Sequence, residues 1–99
     1  LNFAVRTSAP YKKWRKAVIK RDGYICGECE VESKKGKFCL MHVDHIVPLS
    51  FLLKENNINT VYEAIGCKAL WKIENGRVLC KECHLLTDTY SGRALSYNN

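Results

Sequence analysis

The chain has 99 residues, 46% of them apolar, and 16 basic against 10 acidic residues give it a net charge of +6 and a pI near 9.1. This composition fits one globular domain with a modest core and excludes a disordered tail. No apolar run approaches the roughly 18 residues that a bilayer span needs and no signal-peptide pattern opens the chain, so no membrane partner is expected. The basic excess favours a polyanion instead.

Residues 1–10 carry no clear period and read as an arm. Ser8 and Pro10 suit a helix start, and Tyr11, Trp14, Ala17 and Val18 recur at helical spacing, predicting a helix over 11–22. Lys12, Lys13, Arg15, Lys16, Lys20 and Arg21 occupy the rest of its circumference with almost no interleaved acid. A solvated helix face is the plain reading of such a run; contact with phosphates is the favoured one. Asp22-Gly23 ends the helix, and residues 32–37 form a charged loop.

A strand is expected over 38–47, stopped by Pro48. Residues 49–58 begin apolar, with Leu49, Phe51, Leu52 and Leu53, and turn polar from Lys54. Thr60 suits the cap of a short helix closed by Gly66. A strand over 70–73, an Asn75-Gly76 turn and a second strand over 77–79 read as a hairpin, followed by a helix over 81–89. No repeat divides the chain, so one domain over 1–99 is expected, with its core at 23–90 and a tail at 91–99. Leu1 in place of Met raises the alternative of a piece of a longer protein.

Cysteine spacing is the most specific signal. Cys26-x-x-Cys29 and Cys80-x-x-Cys83 form two matched knuckles, each presenting two sulfurs from one tight turn. Six cysteines also permit three disulfides. The two members of a C-x-x-C pair are too close to staple distant segments, and Cys39 and Cys67 sit in apolar surroundings as buried thiols would. A structural zinc with free cysteines in a reducing compartment is therefore expected.

The segment between the knuckles carries Asp44-His45-Ile46 followed by Pro48-Leu49-Ser50, and Asn75-Gly76-Arg77-Val78-Leu79 runs into Cys80-Lys81-Glu82-Cys83-His84. With Arg21-Asp22-Gly23-Tyr24 leading into the first knuckle, this order over about residues 11–90 resembles the HNH nuclease family, and the upstream Tyr11-Lys12-Lys13-Trp14-Arg15-Lys16 resembles its phage-encoded members. The resemblance implies an α+β fold of ββα-metal, treble-clef-like type, stapled by structural zinc and preceded by the basic helix. It implies His45 as general base, Asp44 and His84 as ligands of one catalytic divalent ion, and Asn75 as the residue holding the loop that positions His45. It also implies DNA hydrolysis to 5′-phosphate and 3′-hydroxyl ends in the cytoplasm of a bacterial or phage-infected cell.

The residue types suit that chemistry. An imidazole of ordinary pKa, about 6.5, accepts a proton at neutral pH. A carboxylate and an imidazole leave an ion several open positions and accept Mg²⁺, Mn²⁺, Ni²⁺ or Zn²⁺. Each residue also has a plainer reading: Asp44-His45 as a polar strand end, Asn75 as a turn former, His84 as a fourth-ligand substitute at the zinc. By strand alternation His42 shares a face with Asp44, where it approaches the ion or is a half-exposed strand histidine. Asp88 lies four residues beyond His84 on one helix face, where some family members place a further ligand. Arg77, Lys81 and Arg93 join the basic helix as candidate phosphate contacts. Two other functions stay open: a non-catalytic zinc module that binds nucleic acid, and the nuclease domain of a larger homing or restriction enzyme. Double-strand cleavage would call for a homodimer or sequential nicks.

Overall fold

A computed structural model describes residues 1–87. Asp88 and Arg93 lie outside the described residues, as does the end of the expected helix over 81–89. The chain is α+β: helices α1 (Asn2–Arg6), α2 (Ala9–Asp22), α3 (Leu49–Glu55), α4 (Val61–Gly66) and α5 (Lys81–Leu85) accompany a two-stranded sheet of β1 (Met41–His45) and β2 (Gly76–Cys80).

The sheet is antiparallel and pairs Met41 with Cys80, Val43 with Val78 and His45 with Gly76. α2 starts with Ser8 at its N-cap and Pro10 in its first turn, and ends where the Gly23 amide bonds the Ile19 carbonyl. Its stripe buries Trp14 and Val18 on the sheet, in a core with Cys26, Met41, Val78, Leu79 and Cys80. Gly76 is required by this contact: a Cβ there would strike Val18 Cγ2 and lie 2.9 Å from Trp14 Cζ2. Arg21 closes the same junction, donating to the carbonyls of Ile73 and Gly76 at 2.8 and 2.7 Å.

A second core fills the excursion between the strands, with Val5, Leu49, Leu53, Ile58, Ala64 and Leu70. α4 opens on a full capping box, Thr60 accepting from the Glu63 amide while the Glu63 carboxylate accepts from the Thr60 amide.

Three expectations are corrected. Residues 1–10 are not an arm: α1 buries Val5 completely in the second core, and α2 already begins at Ala9. Short helices draw their stability from such packing, which a weak local pattern does not announce. The strand over 70–73 is absent; Lys68–Trp71 and Ile73–Asn75 are 3₁₀ turns. Burial of Leu70, with Trp71 donating to the Ala64 carbonyl and the Lys72 carbonyl accepting from Trp14, curls that segment against both cores. Asn75-Gly76 is consequently not a hairpin turn, because β2 pairs with β1 across the whole excursion. The apolar start of 49–58 becomes α3, whose Leu49 and Leu53 bury one face.

Candidate functional site

The two knuckles meet. The sulfurs of Cys26, Cys29, Cys80 and Cys83 all lie within 4.8 Å of one another, and among the described residues this is the one group of three or more so arranged. Cys29 and Cys80 are 3.8 Å apart at Sγ; tetrahedral bonds of about 2.3 Å to zinc would set neighbouring sulfurs about 3.8 Å apart. All the cysteines are free thiols, Cys39 and Cys67 being half-buried beside the two cores.

Backbone geometry builds this quartet. The Gly27 amide bonds the Val78 carbonyl at 2.8 Å, docking the first knuckle on β2. Amides of Glu28 and Cys29 point at Cys26 Sγ, and the Cys83 amide at Cys80 Sγ, from 3.4 to 3.5 Å. Burial opposes ionisation of Cys26, but the amides of Cys29, Cys80 and Glu28 outweigh it and hold this thiol at about 6. Cys83 is pushed strongly upward by its bond to Cys80, by burial and by the charge on Cys26. Crowded thiols cannot all ionise without a cation among them. The quartet could hold a metal ion such as zinc.

α5 follows β2 directly and packs against both strands, so that His84 faces one side of β1. There His84 Nε2 stands 3.6 Å from Asp44 Oδ1, and His84 Nδ1 is 2.7 Å from His42 Nδ1. The other Asp44 oxygen accepts from Arg77 Nε and Nη2 at 3.1 and 2.8 Å. Arg77 stands directly opposite Asp44 in the strand register, so its charge serves this carboxylate within the chain. Burial lowers the pKa of His84, Asp44 opposes that shift, and His42 and Arg77 add to it.

His45 points the other way. It is 5% exposed and stacks on Trp14 with ring centroids 3.9 Å apart. Its Nε2 is 2.9 Å from the Leu70 carbonyl, which can only accept, so Nε2 carries the proton and Nδ1 the lone pair. Among the described residues no buried side-chain nitrogen or oxygen lacks a hydrogen-bond partner, so Nδ1, which makes no such bond, keeps an edge open to solvent. Burial depresses the His45 pKa, the Leu70 bond opposes it, and the charge of Arg6 lowers it further. The ring is neutral at pH 7.

Asn75 clasps the chain just past His45. Its Oδ1 accepts from the Val47 amide at 2.8 Å, its Nδ2 donates to the Val47 carbonyl at 3.1 Å, and its own carbonyl accepts from the Ile46 amide at 2.9 Å. The exit of β1 is thereby tied to the entry of β2.

Lys12, Lys13, Lys16 and Lys20 are exposed on α2 and Arg15 is half-exposed there, while Lys81 is exposed at the start of α5. Arg21 is instead committed to the Ile73 and Gly76 carbonyls and to Asp22. Sequence reasoning misses Trp14 and the Leu70 carbonyl as the groups that set the His45 ring, and Arg6 as a charge near it. Trp14 shows in the sequence only as a stripe residue, and a carbonyl has no sequence signal at all. No protein-family model, curated protein or solved structure matches the chain.

Proposed function

We propose that this chain is an HNH-type, metal-dependent endonuclease that hydrolyses DNA phosphodiester bonds, with a ββα-metal, treble-clef-like core stapled by zinc. The observation that carries the reading is the meeting of Asp44 and His84 across β1 and α5, beside an Asn75 that clasps the backbone after His45.

The Asp44–His84 pair suits a catalytic divalent ion. Its 3.6 Å separation is too long for a hydrogen bond, yet it sets an anionic oxygen and a neutral imidazole nitrogen at one place. Asp44 and His84 Nε2 would hold the ion, while His42 bonds the other ring nitrogen of His84; such an ion supplies charge stabilisation at the phosphate and the departing 3′ oxygen. His45 does the proton chemistry. With Nε2 tied to Leu70, its Nδ1 is the one acceptor, and the depressed pKa keeps it free to take a proton from water. The lysines of α2 hold the backbone of DNA without reading sequence.

Two observations favour the second reading, a zinc module that binds nucleic acid without cutting it. His45 shows little surface, and Asp44 is already paired with Arg77. Supercoiled plasmid incubated with the protein and Mg²⁺, Mn²⁺, Ni²⁺ or Zn²⁺ separates the two. The nuclease reading expects nicked or linear product that His45→Gln lowers by about 10²- to 10⁴-fold, with zinc content and DNA binding retained. Intact plasmid under every ion, from zinc-loaded folded protein, leaves the binding module.

A further inference from the structure

Beside the first knuckle lies an open cavity of about 600 Å³ that neither the quartet nor the Asp44–His84 pair uses. Arg15 of α2, Tyr24, Lys34, Lys35, Phe38 and Leu40 line it, above a floor that includes Met41. The volume is that of an ordinary small-ligand site, about 300–1,000 Å³. Its wall is preformed. Ser33 Oγ accepts from the Cys39 amide at 2.9 Å, and Lys34 and Lys37 exchange backbone bonds at 3.0 and 2.9 Å around Gly36, whose φ of +86° makes the turn.

Two features define what this cavity takes. Tyr24 and Phe38 are 53% and 81% exposed, so two aromatic rings stand at its rim with much of their surface in water. Three cations line it, and among the described residues no carboxylate does. Aromatic rings among cations make a stacking platform for the bases of a single nucleic-acid strand, whose phosphates the cations follow. A duplex keeps its base faces stacked inside and offers this pocket only its backbone.

We infer that the Tyr24–Phe38 groove binds an unpaired base of a single DNA strand, with Arg15, Lys34 and Lys35 on the neighbouring phosphates. For the class of ligand this rests on the nucleic-acid reading above, though not on cleavage. Met41, on the α2-facing side of β1, ties the groove to the strand that carries Asp44 on its other side, three residues and about 10 Å farther along.

The test is fluorescence anisotropy of the whole 99-residue chain, supplied with zinc, with labelled oligo-dT and with a labelled duplex of equal length, without any other divalent ion. Phe38→Ala and Tyr24→Ala should each weaken oligo-dT binding by about tenfold or more and leave duplex binding within about twofold. Polyglutamate of matched charge should not displace oligo-dT from the wild type. Unchanged affinity, equal loss on both probes, or displacement by polyglutamate overturns the inference. Zinc content and far-ultraviolet circular dichroism of each variant identify any loss that comes from misfolding; Phe38→Leu, which keeps the apolar bulk without the π face, then supplies the reading and should also lose oligo-dT selectively. Because no cleavage is read, the groove can fail while the nuclease reading stands, and the plasmid assay can fail while the groove stands.

Discussion

The face of β1 that meets α5 is polar and half-exposed, whereas the opposite face, one residue away, is packed under α2. Asp44 and His42 stand on the first with His84 and Arg77, all within a few ångströms of other charges or ring nitrogens. His45 stands on the second, stacked on Trp14 and bonded to a backbone carbonyl. Strand alternation alone separates the two environments. One face gathers a carboxylate, two imidazoles and a guanidinium; the other holds an imidazole neutral and in one tautomer. On the proposed nuclease reading, a strand end would divide electrostatic work from proton transfer between adjacent residues.

The quartet joins the first knuckle to the end of β2 and the start of α5, so its removal should be the largest break. Cys80→Ser should leave the chain unable to retain zinc and largely unfolded, as seen by the loss of far-ultraviolet ellipticity and of bound metal. Structural zinc contributes on the order of 10 kcal/mol in small domains, more than a domain of this size has to spare. A Cys80→Ser protein that melts cooperatively near the wild-type temperature would show that the packed cores suffice alone.

Gly76→Ala attacks only the α2 face. A methyl group at that position has nowhere to go between Val18 and Trp14, and overpacking of this kind costs about 1–3 kcal/mol. Thermal melts should show the loss. The Trp14–His45 stack should shift with it, while the metal affinity of the quartet stays as in the wild type.

Much of this division is legible in the residues alone. The two C-x-x-C pairs predict the quartet, and the period of Tyr11, Trp14 and Val18 predicts α2, because thiolate spacing and helical period are local signals. The excursion between the strands is not legible in that way. Leu70 and Trp71 curl into 3₁₀ turns to meet two cores at once, and Val5 helps close the second of them; such choices are made by distant contacts. Asn75-Gly76 shows the same limit in one dipeptide. Its local meaning is a turn, yet Asn75 bonds Val47 and Gly76 makes room for α2.

His45→Gln sharpens the comparison through pH. An unfolded His45 takes its proton near the ordinary value of about 6.5, and the folded one only at lower pH because burial resists the charge. Between those values the unfolded state holds more protons, so stability present above about 6.5 is lost as pH falls towards the folded value. His84 contributes in the same direction. Urea titrations across pH 4.5–7.5 should show a shallower acid loss in His45→Gln than in the wild type. Equal slopes would mean that the ring is solvated and charges freely.

Arg77→Gln tests the opposite face alone, and its effect should be the smallest. Arg77 is 31% exposed in its pair with Asp44, and exposed or half-exposed ion pairs contribute about 0.2–1 kcal/mol. The melting temperature should therefore drop only slightly. The more telling readout is separation. Arg77 touches Asp44, and its charge adds to the depression of the His84 pKa, whereas burial, the Leu70 bond and Arg6 lead at His45. Removing it should raise the affinity of the Asp44–His84 pair for Mn²⁺, followed by electron paramagnetic resonance, while the His45-dependent part of the acid loss stays where it was. If both move together, the two faces of β1 are coupled through the strand, and the division drawn from their geometry is wrong.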